Sequence, residues 1–425
     1  MHLTRLRGFQ DLIGPDVRAV RIVEDAARAV AERYAMHEIR IPLLERIELY
    51  QRSTGETSDV VEKQMYAFTD RDEAETLLAL RPEGTPGVVR AYIEAGLDRS
   101  DPEQRFYYGG PMFRRERPQK GRFRQFHQFG VEIFGRADAA CDAELIIMID
   151  ELRRELNLEL ESQINSLGCA ECRPAFRAAL LEYGRAHLAE LCEDCHQRLE
   201  RNPLRLLDCK IDVKLAANAP TSLDYLCETC RRHFATVERL LTESGVAYVV
   251  NPRLVRGLDY YMRTTFEIVS GAVGSQSAVV AGGRYDGLVE ALGGAAVAGT
   301  GFAIGIERLA LAVAAKGAVL DGAPQVAMVP LGDAGLVAAL DVARRMRARR
   351  LRVELLSPDR GLKALMRRAS KIGARFAVII GENEVAQQKA QVRDLAASAQ
   401  REVTTASPAD VEQLIDEILT AIAQT

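Results

Sequence analysis

Short apolar runs rich in β-branched and aromatic residues recur through the first three quarters of the chain, with few long helical patterns between them. They fall at 65–69 (MYAFT), 76–80 (TLLAL), 105–108 (RFYY), 126–134 (FHQFGVEIF), 264–269 (TTFEIV) and 277–281 (SAVVA). Runs of this kind form strands, and parallel neighbours would need long crossovers, usually helical. The pattern therefore predicts an α+β domain around an antiparallel sheet rather than a doubly wound one. HEIRIPLLERIELY, interrupted by Pro42, reads as a strand with its proline at an edge or an interface. Ahead of it, residues 14–33 place Pro15 just inside a start and Val20, Val23, Ala27 and Val30 at helical spacing, which predicts an amphipathic helix.

Residues 166–245 differ: cysteine pairs, helical periodicity and few β-branched runs predict a helical insertion. The segment KGAVLDGAP near 316–325 supplies Gly and Pro at a linker. Beyond it strands alternate with helices near 334–350, 361–372 and 408–422, predicting a compact α/β domain over 325–425. At 425 residues the chain is long enough for such a division, with the first domain spanning 1–320.

Lys and Arg total 56 against 60 Asp and Glu, so a polyanionic partner has to be met by local charge rather than by the whole surface. Apolar stretches end well before the roughly 18–20 residues of a membrane span. The start MHLTRLRGFQ lacks the apolar core of a secretory signal, so a cytoplasmic protein without a membrane partner is expected.

Seven of the eight cysteines lie between 169 and 230, an arrangement suited to metal rather than to a disulfide scaffold. Cys169 and Cys172, Cys192 and Cys195, and Cys227 and Cys230 form x2-spaced pairs, with Cys209 between the second and third. Two pairs would suffice for one structural Zn2+ site, which leaves the ligand subset open. The alternative is that they are small core residues, the reading given to Cys141 outside the cluster.

The segment FRRERPQKGRFRQFHQ (113–128) carries six cations against one carboxylate between Arg114 and Arg124. A charge run is commonly a solvated surface. Here strand-like residues flank it and Pro118 and Gly121 sit centrally, so it reads as a hairpin with a basic tip. Guanidinium forks there could pair with phosphate oxygens of a triphosphate or an RNA end. LVRGLDYYMRTTFE (254–267) holds Arg256, Asp259, Tyr260 and Tyr261 among apolar neighbours, and the tyrosines could be ordinary core. In AGGRYDGL (281–288) the glycines permit close backbone approach to a ligand. GFAIGIERL (301–309) could be a plain amphipathic helix with small residues at a packing contact.

Taken together and in this order, these segments resemble the histidyl-tRNA synthetases, a family of class II aminoacyl-tRNA synthetases, over nearly the whole chain. RIPLLE is similar to class II motif 1, FRRERPQKGRFRQFHQ to motif 2 and GFAIGIERL to motif 3; RGLDYY and GGRYDGL match segments peculiar to the histidine enzymes, and RPEGT (81–85) their amino-acid-binding segment. The resemblance implies activation of L-histidine by Mg2+-ATP followed by transfer to the 3′ end of tRNA(His).

Activation sets a carboxylate already ionised at neutral pH against the α-phosphorus, so positioning and charge stabilisation outweigh a general base. By their places in the motifs, Arg114 would contact the α-phosphate and the histidine carboxylate, Arg308 the γ-phosphate, and Arg256 would supply a second, permanently charged guanidinium at the α-phosphate. Glu83 and Thr85 would bind the α-amino group, with Gln128 nearby in the histidine site, while Glu132, Tyr260 and Tyr261 would line the imidazole site. At the motif 2 tip, Arg117, Gln119 and Arg122 would read the tRNA acceptor end.

In the C-terminal domain Arg345, Arg349 and Arg352 are spaced for one helical face, and Lys363, Arg367 and Lys371 recur at i+4. Spacing alone fits a solvated face; the resemblance makes the domain an anticodon binder. It also implies a homodimer, since motif 1 builds the class II subunit interface. A rival is the synthetase-like regulatory subunit of ATP phosphoribosyltransferase, which binds histidine without charging tRNA. It accounts less well for Arg256 and the basic tip.

Overall fold

The computed structural model describes residues 3–54, 63–72, 75–255, 258, 260–271, 278–317 and 322–423. The chain divides into two compact units, Met1–Leu320 and Asp321–Thr425. The first is built on an eight-stranded sheet in the order His37–Glu38, Gln104–Phe113, Gln125–Phe134, Gly299–Gly305, Ala278–Arg284, Met262–Val269, Glu161–Ser166, Val249–Val250. Its central pairings are antiparallel, and only the two short edge strands pair in parallel. The expected antiparallel α+β architecture is therefore present, with parallel additions at both rims.

Alternation along the central strands separates two environments, because successive side chains point to opposite faces. Phe129, Val131 and Ile133 face one side together with Phe266, Ile268, Phe302 and Ile304. There they pack beneath the helices Pro15–Arg33, Ala139–Glu155, Glu228–Glu243 and Ile306–Ala315, whose apolar stripes supply Val20, Val23, Ala27, Ile146, Val237 and Leu309. The opposite face carries Gln128, Gly130 and Glu132 on one strand and Gly301, Ala303 and Gly305 on the next. That second face is polar and low in relief, and it forms the floor of a cleft.

Two local readings of the sequence are corrected. In HEIRIPLLERIELY only His37–Glu38 and Leu44–Arg46 are strands, and Ile47–Thr54 is a helix. Ile47 and Tyr50, three apart, are both buried with Met65 and Ala79, so helical spacing prevails over the apolar run. GFAIGIERL is not one helix: the strand Gly299–Gly305 ends where Ile306–Ala315 begins. Its glycines lie on the sheet rather than at a helix contact.

The insertion after Glu161–Ser166 is helical, with Arg173–Ala186, Glu193–Arg198, Val213–Asn218 and Glu228–Glu243 joined by short turns. In the second unit a five-stranded sheet runs Val353–Leu355, Val326–Pro330, Phe376–Ile380, Lys389–Asp394, Ala399–Thr404, the first three parallel and the rest antiparallel. Helices Gly332–Ala348 and Pro408–Ala423 share one core with it, while Leu362–Lys371 covers the other face. No helix among the described residues is long and apolar enough to cross a membrane.

Candidate active site

The basic segment is the tip of the antiparallel pair Gln104–Phe113 and Gln125–Phe134, which begins at Phe113 opposite Gln125. The tip closes on reciprocal backbone hydrogen bonds between Gln119 and Arg122. Arg117 and Gln119 are exposed there, whereas Arg122 turns inward and donates to Glu116 at 3.0 Å. Arg114 stays at the base, its Nε donating to the Pro82 carbonyl at 2.8 Å and its guanidinium lying over the Phe126 ring, 5.3 Å from the centroid. From the first turn of the motif 3 helix, Arg308 reaches across to the Gly121 and Ala278 carbonyls, so that helix and hairpin tip are tied together.

These side chains bound a cleft of about 310 Å3 lined also by Glu83, Thr85, Gln128, Tyr261 and Glu267. Burial, then the nearby Arg122 and also Arg114, hold the Arg308 guanidinium down at about 10, while Glu116 and Glu267 oppose the shift. Crowded partly desolvated cations of this kind favour an anion between them.

Behind Thr85 of the cleft lining, Glu132 is buried. Its Oε1 accepts from the Thr85 hydroxyl at 2.6 Å, and its Oε2 accepts from the Tyr285 hydroxyl. Burial pushes the carboxyl up to about 8, with the neighbouring Glu83 adding to the rise against the pull of the Thr85 and Tyr285 hydrogen bonds. The Tyr260 hydroxyl donates to Glu83 at 3.0 Å, and its ring packs 4.6 Å from that of Tyr261 and edge-on to Tyr285. Glu83 and Thr85 are placed by Arg81, which donates to the Ile41 and Pro111 carbonyls and so pins the RPEGT turn between the motif 1 segment and the hairpin. The buried Gln128 side-chain oxygen has no hydrogen-bond partner among the described residues.

The structure thus brings Glu83, Thr85, Arg114, Arg122, Gln128, Glu132, Tyr260, Tyr261 and Arg308 to one cleft and its walls, and leaves Arg117 and Gln119 on the exposed tip. Arg256 lies outside the described residues. Sequence reasoning passes over three contributors. In GGRYDGL the glycines draw the eye, yet it is the Tyr285 hydroxyl that holds Glu132. Glu307 accepts from the backbone N–H of His127 at both oxygens and sits 2.8 Å from its Nδ1, fixing motif 3 to motif 2; that hydrogen bond raises the His127 pKa. Arg284 is wholly buried and paired with Asp142 and Asp286, so it braces the sheet.

The three cysteine pairs do not share one site. Cys169, Cys172, Cys227 and Cys230 converge, whereas Cys192 and Cys195 meet Cys209 and Asp212. In the second unit Arg352 is not on the helix with Arg345: the helix ends at Ala348, and Arg350 adopts φ +64°, which turns the chain away. Arg345 pairs with Asp341, and Arg349 with Glu412 and Asp416, so this trio is largely neutralised within the domain. Lys363, Arg367 and Lys371 are exposed along Leu362–Lys371 and form no ion pair with any described residue.

Comparison with known proteins agrees with this arrangement. Residues 8–309 match the family profile described as histidyl-tRNA synthetase, and 325–419 one described as anticodon binding domain. The chain is 45% identical to a histidine–tRNA ligase of Trichlorobacter lovleyi, over 95% of this chain and 96% of that protein. It is 48% identical to one from Solidesulfovibrio magneticus over 95% of each. A crystal structure of apo S. aureus histidyl-tRNA synthetase superposes with a TM-score of 0.79 at 30% identity, covering 98% of this chain and all of that one. From the cleft and from this likeness across nearly its full length, the chain belongs to the histidyl-tRNA synthetase family.

Proposed function

We propose that the cleft carries out the adenylation half of histidine–tRNA ligation with its two ends in different roles. The chain charges tRNA with histidine at the expense of ATP, as its family membership establishes; the division of labour below is our reading. Arg114 and Arg308, with Arg256, hold the triphosphate and take up the charge that develops at the α-phosphorus, a task for fixed cations in a partly desolvated site. At the other end Glu132 accepts an imidazole N–H, and Tyr260 and Tyr261 wall the ring. Glu83, Thr85 and Gln128 receive the α-amino group, while the buried Glu132, left without an N–H to accept, would penalise an amino acid lacking one in its side chain.

The observation that carries this reading is the buried Glu132, held by Tyr285 and by Thr85, the latter lining the cleft where the arginines gather. Magnesium would travel with ATP, and the cleft carboxylates Glu116 and Glu267, both within electrostatic reach of Arg308, are the groups that would hold it. Residues 1–320 form the catalytic domain in this reading, with the exposed Arg117 and Gln119 and the adjacent Arg122 meeting the tRNA acceptor end. Residues 325–425 engage the anticodon through the Lys363, Arg367 and Lys371 face.

A homodimer is supported by exposed Leu3, Leu6, Ile13, Leu43 and Leu44, a set of apolar side chains at and before motif 1. A cytoplasmic location follows from the substrate, tRNA. Cys169, Cys172, Cys227 and Cys230 bind one structural Zn2+ in this reading, with no part in the chemistry.

Histidine-dependent exchange of labelled pyrophosphate into ATP, without tRNA and beside other amino acids, tests the adenylation reading. Selective exchange is expected, severely slowed in Arg256→Ala at unchanged melting temperature. Absence of exchange from folded, histidine-binding protein, even with tRNA added, would favour a regulatory subunit.

A further inference from the structure

Cys192, Cys195, Cys209 and Asp212 are brought together from a helical turn and a separate loop, their ligand atoms all within 4.8 Å of one another. The Sγ atoms of Cys192 and Cys209 are 3.7 Å apart. This is far beyond a disulfide bond of about 2.05 Å. It matches the edge of roughly 3.8 Å that a tetrahedron with ~2.3 Å Zn–S bonds requires. The same spacing occurs in the four-cysteine cluster, where Cys169 lies 3.7 Å from Cys172 and 3.9 Å from Cys227.

Backbone donors point at the sulfurs in both clusters. The Cys195 N–H is 3.5 Å from the Cys192 Sγ, the Asp212 N–H 3.3 Å from the Cys209 Sγ, and the Cys227 N–H 3.1 Å from the Cys172 Sγ. Donors aimed at sulfur stabilise ligating thiolates and orient them. Asp212 is itself oriented, since the Cys192 N–H lies 3.1 Å from each of its oxygens, and these keep lone pairs for a cation. Cys195 and Asp212 are buried.

We infer that this cluster is a second tetrahedral metal centre, of three thiolates and one carboxylate, selecting Zn2+ or a similar borderline-soft divalent ion. Three thiolates exceed what a hard, oxygen-seeking ion such as Mg2+ accepts. The centre clamps the 209–212 loop onto the turn that begins at Cys192.

The test is zinc content of the full chain, purified without chelators, by elemental mass spectrometry. Two ions per chain are expected, falling to one in Cys192→Ser/Cys209→Ser and to one in Cys169→Ser/Cys227→Ser. Should either double variant fail to fold, cobalt titration of the metal-free wild-type chain decides: sulfur-to-cobalt absorption should rise to two equivalents. One ion in the wild type, unaffected by the Cys192→Ser/Cys209→Ser change, or saturation at one equivalent, would overturn the second centre.

Discussion

A β-carbon added at Gly301 would lie 2.0 Å from Oε2 of Glu132, the residue opposite it in the sheet. The carboxylate therefore occupies the space that any larger residue would claim. A backbone carbonyl, that of Val131, also lies within 2.4 Å of the added atom, so the neighbour cannot simply swing aside. Gly301→Ala is expected to displace Glu132 and to lower histidine-dependent pyrophosphate exchange by about 100-fold, the usual effect of an ångström-scale misplacement. Exchange rates together with histidine binding by calorimetry would show it; a variant with wild-type histidine affinity would contradict the placement of Glu132 in the histidine site.

Glu132→Gln keeps the shape but cannot ionise, as Glu132 would on meeting an imidazole N–H. Histidine affinity should fall by about tenfold or more, as expected for a charged hydrogen bond removed from a buried site, while ATP affinity holds. Equal losses in both would argue against the assignment. The same residue sets a pH dependence of stability in the unliganded chain. Its folded value of about 8 lies above the ordinary 4.5, so between those values the folded state keeps a proton that the unfolded chain releases. Stability from this group is full below the unfolded value and declines as pH rises toward the folded one. Melting curves from roughly pH 5 to 8 should therefore be flatter for Glu132→Gln than for the wild type.

Arg308 joins the hairpin tip to the strand Ala278–Arg284 while facing the phosphate end of the cleft. Arg308→Ala should reduce kcat/KM for ATP in the exchange reaction by roughly 10²–10³-fold, as for loss of one preorganised charge-stabilising donor. Histidine binding measured without ATP should be unchanged. Loss of histidine binding too would mean the residue chiefly holds the hairpin in place.

Lys363, Arg367 and Lys371 share one exposed face of their helix, with no anion among the described residues to pair with them. Changing all three to Ala should raise KM for tRNA on the order of tenfold and flatten its salt dependence, since a protein that neutralises fewer phosphates releases fewer counterions. Pyrophosphate exchange should remain at the wild-type rate. Unaltered tRNA kinetics would return this face to ordinary solvation.

Elements whose signal is local were legible in the sequence. The first helix follows from Val20, Val23, Ala27 and Val30, all buried on one stripe. The basic hairpin follows from apolar strands around a Pro and Gly turn, and the strands of the central sheet from short β-rich runs, because period and turn chemistry are properties of neighbouring residues. Where two local periods competed, as at Ile47–Thr54 or across Gly305, the sequence alone misjudged the boundary, and burial in the folded chain decided it.

What the tertiary structure alone decided is which distant groups meet. Glu83 and Tyr260 are 177 residues apart, and His127 and Glu307 are 180 apart. Likewise Cys192 and Cys195 combine with Cys209 and Asp212 rather than with another CxxC pair. No period encodes such meetings: they arise when strand register fixes which face each residue occupies and loop reversals set which turns face each other. The sequence determined the chemical inventory, a cationic hairpin, buried carboxylates and paired thiols. Register and chain reversal then turned that inventory into one cleft and two separate thiol clusters.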